Sequence, residues 1–212
     1  MPLFLHQQVA GNGELGLWQI EENEEWFLGQ IRLEEEERSQ FAKMKGKRRV
    51  EWLAARMLIH HMSGRDKRAP FVKDEYGKPH LDNSDYHISI SHSGQLAAAI
   101  AAPSVVGIDI QRWAPNLERL VHKFMSREEI EQLSSDFRLE QIHIFWGAKE
   151  SLYKAYGRRA LDFSRHMKIA PFEYIPEGGH AMGVITKENY QATYELYYKM
   201  IEQYMLVYVV EQ

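Results

Sequence analysis

The chain has 212 residues, 44% of them hydrophobic and 12% aromatic, enough for one large domain or two small ones and too apolar for a disordered chain. It has no cysteine, which excludes disulfides, thiolate zinc sites and a cysteine nucleophile, and fits a reducing cytoplasm. The formal net charge of −4 argues against bulk nucleic-acid binding but leaves room for a local basic site.

The opening stretch, Met1 to His6, turns polar too early for a secretory leader, and no apolar run is long enough to span a bilayer. A cytoplasmic location without nucleic-acid or membrane partners is therefore expected. Residues 3–10 and 15–20 read as short strands about a turn at Gly11-Asn12-Gly13. Gly11 to Gly16 matches G-x-G-x-x-G, but the strand-like Leu17-Trp18-Gln19-Ile20 follows where a dinucleotide site needs a helix N-terminus. A hairpin turn is the better reading.

From about Leu33 to His61 the sequence is helical, with an acidic start at Glu34 to Glu37 and a basic run at Lys43, Lys45, Lys47, Arg48 and Arg49. Gly46 marks a break. The part from Val50 to Ile59 is apolar enough to be a core helix with Arg56 leaning inward. Residues 73–81 form a turn-rich loop, and strands follow at 86–91 and 95–102, joined through His92-Ser93-Gly94. A further strand runs from Val105 to about Gln111, with Val106, Ile108 and Ile110 on one face and Gly107, Asp109 and Gln111 on the other. Aspartate is a poor strand residue, so this polar face either meets water or lines a site.

Leu117 to Phe124 reads as a short helix, and Ser126 with Glu129 forms a capping box opening a helix over Arg127–Leu133. A long helix from about Asp136 to the stop at Gly157 follows. Its apolar arc comprises Leu139, Ile142, Phe145, Trp146, Leu152, Tyr153 and Tyr156, with Lys149 near the middle, Glu150 at the edge and Lys154 one turn beyond Glu150. Charges bordering a buried face must be paired, bind an ion or meet a charged ligand; a snorkelling lysine and a surface Glu–Lys pair are the plain alternative. Strands at about 168–174, 181–186, 191–199 and 203–210 close the chain. The class is α+β, and each half runs from a long helix into a β-hairpin, which suggests an internal duplication divided into residues 1–104 and 105–212.

Three polar clusters need one explanation: Asp109 with Gln111, Lys149-Glu150-Lys154, and Ser91-His92. Carboxylates suit Mg²⁺, which takes one or two of them plus substrate phosphates, and lysine and histidine beside such an ion suit phosphate. Together they compose a Mg²⁺ site for a phosphate-bearing cofactor, although ordinary structural roles also explain such residues. Other chemistries fit less well. Glu140 and His143 form a single E-x-x-H where a di-iron site needs two, the ten histidines have no zinc spacing, and Ser91-His92-Ser93 lacks a nucleophile elbow.

Gly107-Ile108-Asp109-Ile110 followed by Trp146-Gly147-Ala148-Lys149-Glu150-Ser151-Leu152-Tyr153-Lys154 resembles the paired signature of 4′-phosphopantetheinyl transferases, in the larger single-chain class typified by the surfactin synthetase activator. Gly77-Lys78-Pro79, Ile90-Ser91-His92-Ser93 and Phe124-Met125-Ser126 support it, and the resemblance spans about residues 40–210. It implies transfer of phosphopantetheine from coenzyme A to a serine of an apo acyl, peptidyl or aryl carrier protein, releasing adenosine 3′,5′-bisphosphate, as in holo-[acyl-carrier-protein] synthases. It also implies a monomer of two similar α+β halves related by a pseudo-twofold axis, with the active site in the cleft between them.

By the same resemblance Asp109 and Glu150 are Mg²⁺ ligands, with Glu150 also the base for the serine hydroxyl. Lys154 stabilises or protonates the leaving group, and Lys78, Ser91, His92 and Lys149 belong to the coenzyme A site. Lys47, Arg48, Arg49 and Arg56 lie where a basic coenzyme contact is expected, with the choice among them open. The surfactin-type motif continues with glutamate where this chain has Gln111. A glutamine ligates through its carbonyl oxygen or holds a water, so a wetter, weaker Mg²⁺ site is expected. The alternative is a protein of this fold that binds coenzyme A or a carrier without turnover. The carrier is expected to dock on the mixed basic and apolar segment with Arg112, Trp113, Leu117, Arg119, Leu120, Lys123, Phe124 and Met125, although at least half of Leu117, Leu120 and Phe124 must belong to the core face of a short helix.

Overall fold

The structure, a computed structural model, describes residues 3–212. The chain divides into two compact units, Met1–Pro103 and Ser104–Gln212.

In the first unit, β1 (Leu3–Val9) and β2 (Gly13–Gln19) form the expected hairpin, with Gly11 and Asn12 at positive φ in the turn. Three helices follow: α1 (Glu24–Gln30), α2 (Glu35–Ala42) and α3 (Lys47–Ser63). Gly46, at φ 57°, separates α2 from α3, and Gly64, at φ 58°, closes α3 in the left-handed conformation that glycine adopts without steric cost. The short α1 had no apolar periodicity to announce it. Its signals are local: the Asn23 side chain caps the Trp26 N–H, and Glu24 and Glu25 fill the first turn.

The stretch read as a loop over 73–81 holds a small hairpin of β3 (Phe71–Lys73) and β4 (Pro79–Leu81). Then β5 (His87–Ser93) and β6 (Leu96–Ala102) complete an antiparallel sheet in the order β1-β2-β6-β5. Helix α3 covers β2 and β6, burying Leu53, Leu58, Met57 and Met62 against Trp18, Phe27 and the alanines of β6. Small residues on β6 let a helix with large side chains lie close to the sheet.

The second unit begins with β7 (Val106–Arg112). A 3₁₀ turn at Pro115–Leu120 leads into α4 (Val121–Phe124), α5 (Arg127–Glu131), the long α6 (Arg138–Tyr156) and α7 (Phe163–His166). Strands β8 (Met167–Ile169), β9 (Gly179–Lys187), β10 (Tyr190–Ile201) and β11 (Tyr204–Glu211) follow, and the antiparallel sheet has the order β7-β11-β10-β9-β8. The expected strand at 168–174 stops at Ile169 because Pro171 lacks the N–H a ladder needs. The capping box of Ser126 and Glu129 is present, though α5 ends at Glu131. Both units are thus α+β, each with one long helix on an antiparallel sheet.

Candidate active site

Helix α6 sits unusually close to β7 and β11, and glycines make this possible. A Cβ on Gly107 of β7 would lie 1.9 Å from the Ser151 carbonyl oxygen, and one on Gly147 of α6 would lie 2.6 Å from Val207 Cγ2. Neither can be backed away from without lifting the helix off the sheet. The Ser151 hydroxyl donates to the Val207 carbonyl at 3.0 Å and locks the contact. Because side chains alternate along a strand, the face of β7 carrying Gly107 also carries Asp109 and Gln111, opposite Val209, Val207 and Met205 of β11. The polar face is therefore largely covered at Gly107 and Asp109, with Gln111 partly exposed. It lies under α6.

There Asp109 is 7% exposed, with its Oδ2 4.0 Å from where a Gly147 Cβ would be. The Lys154 ammonium donates to Asp109 Oδ1 at 2.8 Å and to the Ile108 carbonyl at 2.8 Å, while remaining partly open to solvent. Glu150, one turn before Lys154, is half-buried. Burial first, then the Asp109 charge, raises its pKa, and Lys154 acts in the opposite direction. Asp109, Glu150 and Lys154 are thus brought together by one strand and one helix, with Gln111 further along the same strand face.

The donor set fits a Mg²⁺ ion. Two carboxylates close enough for one to raise the other's pKa present hard oxygens with only the Lys154 ammonium to offset them, and Gln111 follows on the same face of β7. Among the described residues no three His, Cys, Asp or Glu side chains gather as a metal group.

The helix motif turns out to have two sides. Trp146 packs edge-on against Phe124 at 5.1 Å and at a tilt against Phe163 at 6.2 Å, which ties α6 to α4 and α7. On that side Lys149 is 0% exposed and donates to Glu129 at 2.6 Å, to the Phe163 carbonyl at 3.0 Å and to the Met167 carbonyl at 3.1 Å. With all three protons used inside the core, Lys149 does not fit the coenzyme contact expected of it. Glu129 is correspondingly more than a cap: it accepts the Ser126 and Ile169 N–H groups as well as Lys149. That role is invisible in sequence because its partners lie 20 and 40 residues away.

In the first unit the basic run also divides. Arg56 is 2% exposed, lies 3.2 Å over the Trp52 ring, and donates to Glu37 and the Trp52 carbonyl. Arg49 makes a forked pair with Glu24 at 2.6 and 2.7 Å, reaches the Phe41 and Met44 carbonyls and lies over the Phe41 ring at 3.8 Å. Both fasten helices together, so the expectation that they contact coenzyme A is corrected by burial for Arg56 and by engaged donors for Arg49. Lys47 behaves differently. Its exposed side chain pairs with Glu51 at 3.3 Å and bonds to the Gly94 carbonyl in the β5–β6 turn, while His92 Nδ1 lies 3.3 Å from the other Glu51 oxygen.

Glu51, which the sequence did not single out, therefore stands between Lys47 and His92. Ser91, beside it on β5, is 8% exposed. Lys78 sits in a turn built by Asp74, whose Oδ1 accepts the Tyr76 and Lys78 N–H groups at 2.9 Å and whose Oδ2 pairs with His80 at 3.1 Å.

Of the expected docking segment, Leu117, Phe124 and Met125 are core, Trp113 is half-buried, and Arg112, Arg119, Leu120 and Lys123 are exposed. Trp113 stacks on His143 at 4.3 Å, and the imidazole accepts the Ala114 N–H through Nε2 while its Nδ1–H donates to the Leu139 carbonyl. Both nitrogens are occupied, which accounts for His143 without a metal.

Comparison with known proteins bears on these two groups. Residues 105–209 match the model of the 4′-phosphopantetheinyl transferase superfamily, and residues 35–102 match that of the 4′-phosphopantetheinyl transferase N-terminal domain. The chain belongs to the 4′-phosphopantetheinyl transferase superfamily. Among its relatives, 4′-phosphopantetheinyl transferase gsp of Aneurinibacillus migulanus is 33% identical over 51% of this chain and 46% of its own length. The Sfp transferase of Bacillus subtilis (strain 168) is 35% identical over 42% of this chain and 41% of its own. The matched stretches span less than half the length of these relatives. Among the described residues no helix is long and apolar enough to cross a membrane.

Proposed function

We propose that the protein transfers 4′-phosphopantetheine from coenzyme A to a serine of an apo acyl, peptidyl or aryl carrier protein, with Mg²⁺ held by Asp109, Glu150 and the oxygen of Gln111 or a water on it. The observation that carries this reading is the gathering of Asp109, Glu150 and Lys154 where α6 meets β7. When bound, Mg²⁺ would polarise the donor pyrophosphate and neutralise its charge. Glu150 takes the proton of the carrier serine as its oxygen attacks the phosphorus bearing the pantetheine arm. A carboxylate with a raised pKa is the stronger base for that step. The bond to the second phosphate breaks, and adenosine 3′,5′-bisphosphate leaves with the charge that the Lys154 ammonium stabilises. Lys47, Lys78, Ser91 and His92 serve the coenzyme phosphates, with Glu51 beside His92. Arg119, Leu120 and Lys123 offer the exposed basic and apolar surface for an acidic carrier.

The test is to incubate the protein with an apo carrier, coenzyme A and Mg²⁺ and to weigh the carrier. The expected gain is one phosphopantetheine, abolished by EDTA and by Glu150→Ala. Tight coenzyme A binding with no gain on several carriers would favour a non-catalytic binding protein and would point to Gln111, the one departure from a three-carboxylate motif.

A further inference from the structure

A cavity of about 210 Å³ in the first unit lies between the C-terminal end of α3, the following loop, and the strands behind them. Its polar wall is His60, Arg65 and Arg68, and Ile59, Met62 and Leu81 supply an apolar wall. Behind it, Glu37 is 1% exposed and is shared by two guanidinium groups, those of Arg56 at 2% and Arg68 at 9%. Burial lowers the Arg56 pKa to about 9, so it remains cationic at neutral pH. One carboxylate against two guanidiniums leaves this buried cluster with an excess positive charge, which is costly without a counter-charge.

The terminal nitrogens of Arg68 are engaged by Glu37 and by the Ala69 and Arg32 carbonyls, but two buried atoms of the residues that line the cavity, Arg68 Nε and His60 Nδ1, have no hydrogen-bond partner. Such orphans in a native interior call for an unassigned partner. Burial, followed by the charges of His61 and Arg68, lowers the His60 pKa, consistent with an electropositive wall. The exposed Arg65 extends the positive side to the rim; the lining also includes one carboxylate, Glu14, which is paired with His6 at 2.8 Å.

We propose that this cavity binds a small organic carboxylate, its charged head at Arg68, Arg65 and His60 and its apolar body against Ile59, Met62 and Leu81. The volume lies below the roughly 300–1,000 Å³ of drug-sized pockets, which limits the occupant to a small metabolite. The proposal does not depend on the transferase reading.

Titration of the full-length ¹⁵N-labelled protein with sodium hexanoate, at ionic strength fixed with sodium chloride, tests it by NMR. Saturable shifts of the His60 ring nitrogens and of Arg68 Nε are expected, with hexanoate binding at least tenfold more tightly than acetate. Arg68 is too deeply built into the core to substitute safely, so Arg65→Glu and His60→Phe serve instead. Arg65→Glu should weaken hexanoate at least tenfold at an unchanged melting temperature, and His60→Phe should weaken it as well. Shifts that do not saturate, equal affinities for acetate and hexanoate, or insensitivity to Arg65→Glu would overturn the proposal. So would reproduction of the same shifts by coenzyme A, because the cavity would then belong to the coenzyme site.

Discussion

Lys149 and Lys154 stand five residues apart on one helix and have opposite fates. Lys149 is sealed in the core with Glu129 and two carbonyls, while Lys154 stays partly open to solvent beside Asp109 and Glu150. Five residues on an α-helix turn the side chain by about 140°, enough to pass from the α4–α7 side to the β7 side. A charge that is buried and saturated stabilises the fold; a charge left with an open side and an acidic neighbour is available for chemistry. The same contrast recurs in the first unit between Arg56, sealed with Glu37, and Lys47, exposed beside Glu51 and His92.

The contrast breaks first at Lys149. Lys149→Met leaves the Glu129 carboxylate buried without its cation and should cost about 3–5 kcal/mol in chemical denaturation. The double variant Lys149→Met, Glu129→Gln should lose less, since no unpaired charge remains. Lys154→Ala removes one partner of the buried Asp109 as well, but Lys154 is partly open to solvent, so it should cost less stability than Lys149→Met and instead lower the transfer rate about 10²–10³-fold in the carrier mass assay. Because the Lys154 charge lowers the Glu150 pKa, its loss should also move the acid limb of the pH–rate profile to higher pH.

A smaller effect sharpens the acidic side of the comparison. Gln111→Glu adds a third carboxylate and should lower the Mg²⁺ concentration for half-maximal transfer by up to about tenfold. An unchanged metal dependence would remove residue 111 from the site. The smallest effect concerns Glu150 without metal. Its folded-state pKa is raised above the ordinary 4.5, so ionisation of Glu150 opposes folding above the folded pKa, and the penalty disappears as pH falls toward 4.5. In EDTA, Glu150→Gln should therefore melt higher than the parent at neutral pH, and the two should converge in acid.

Arg56 and Glu129 show where sequence reading stops. An inward-leaning arginine in an apolar helix is visible as a problem of charge, but its answer, Glu37, lies 19 residues away on another helix. Glu129 is legible as a cap because Ser126 is three residues distant, whereas its pairing with Lys149 requires α5 and α6 to be folded together. Glu51 is legible in sequence only as the i+4 partner of Lys47, because His92 lies on a strand that only the packed unit brings near.

By itself the sequence determined the α+β class, the hairpins, the long helices with their glycine stops, and the residues Asp109, Glu150 and Lys154 as a group that needed a common explanation. These follow from periodicity, turn chemistry and fixed motif spacing, all of which act over a few residues. Only the tertiary structure decided which charges are spent. Hydrogen-bond saturation depends on groups remote in sequence, and so it took the folded chain to withdraw Lys149, Arg49 and Arg56 into the framework and to reveal Glu129, Glu24 and Glu37 as their partners. The closeness of α6 to β7 was decided at the same level. A glycine in each element is a local fact, but the absence of a Cβ matters only where two backbones meet.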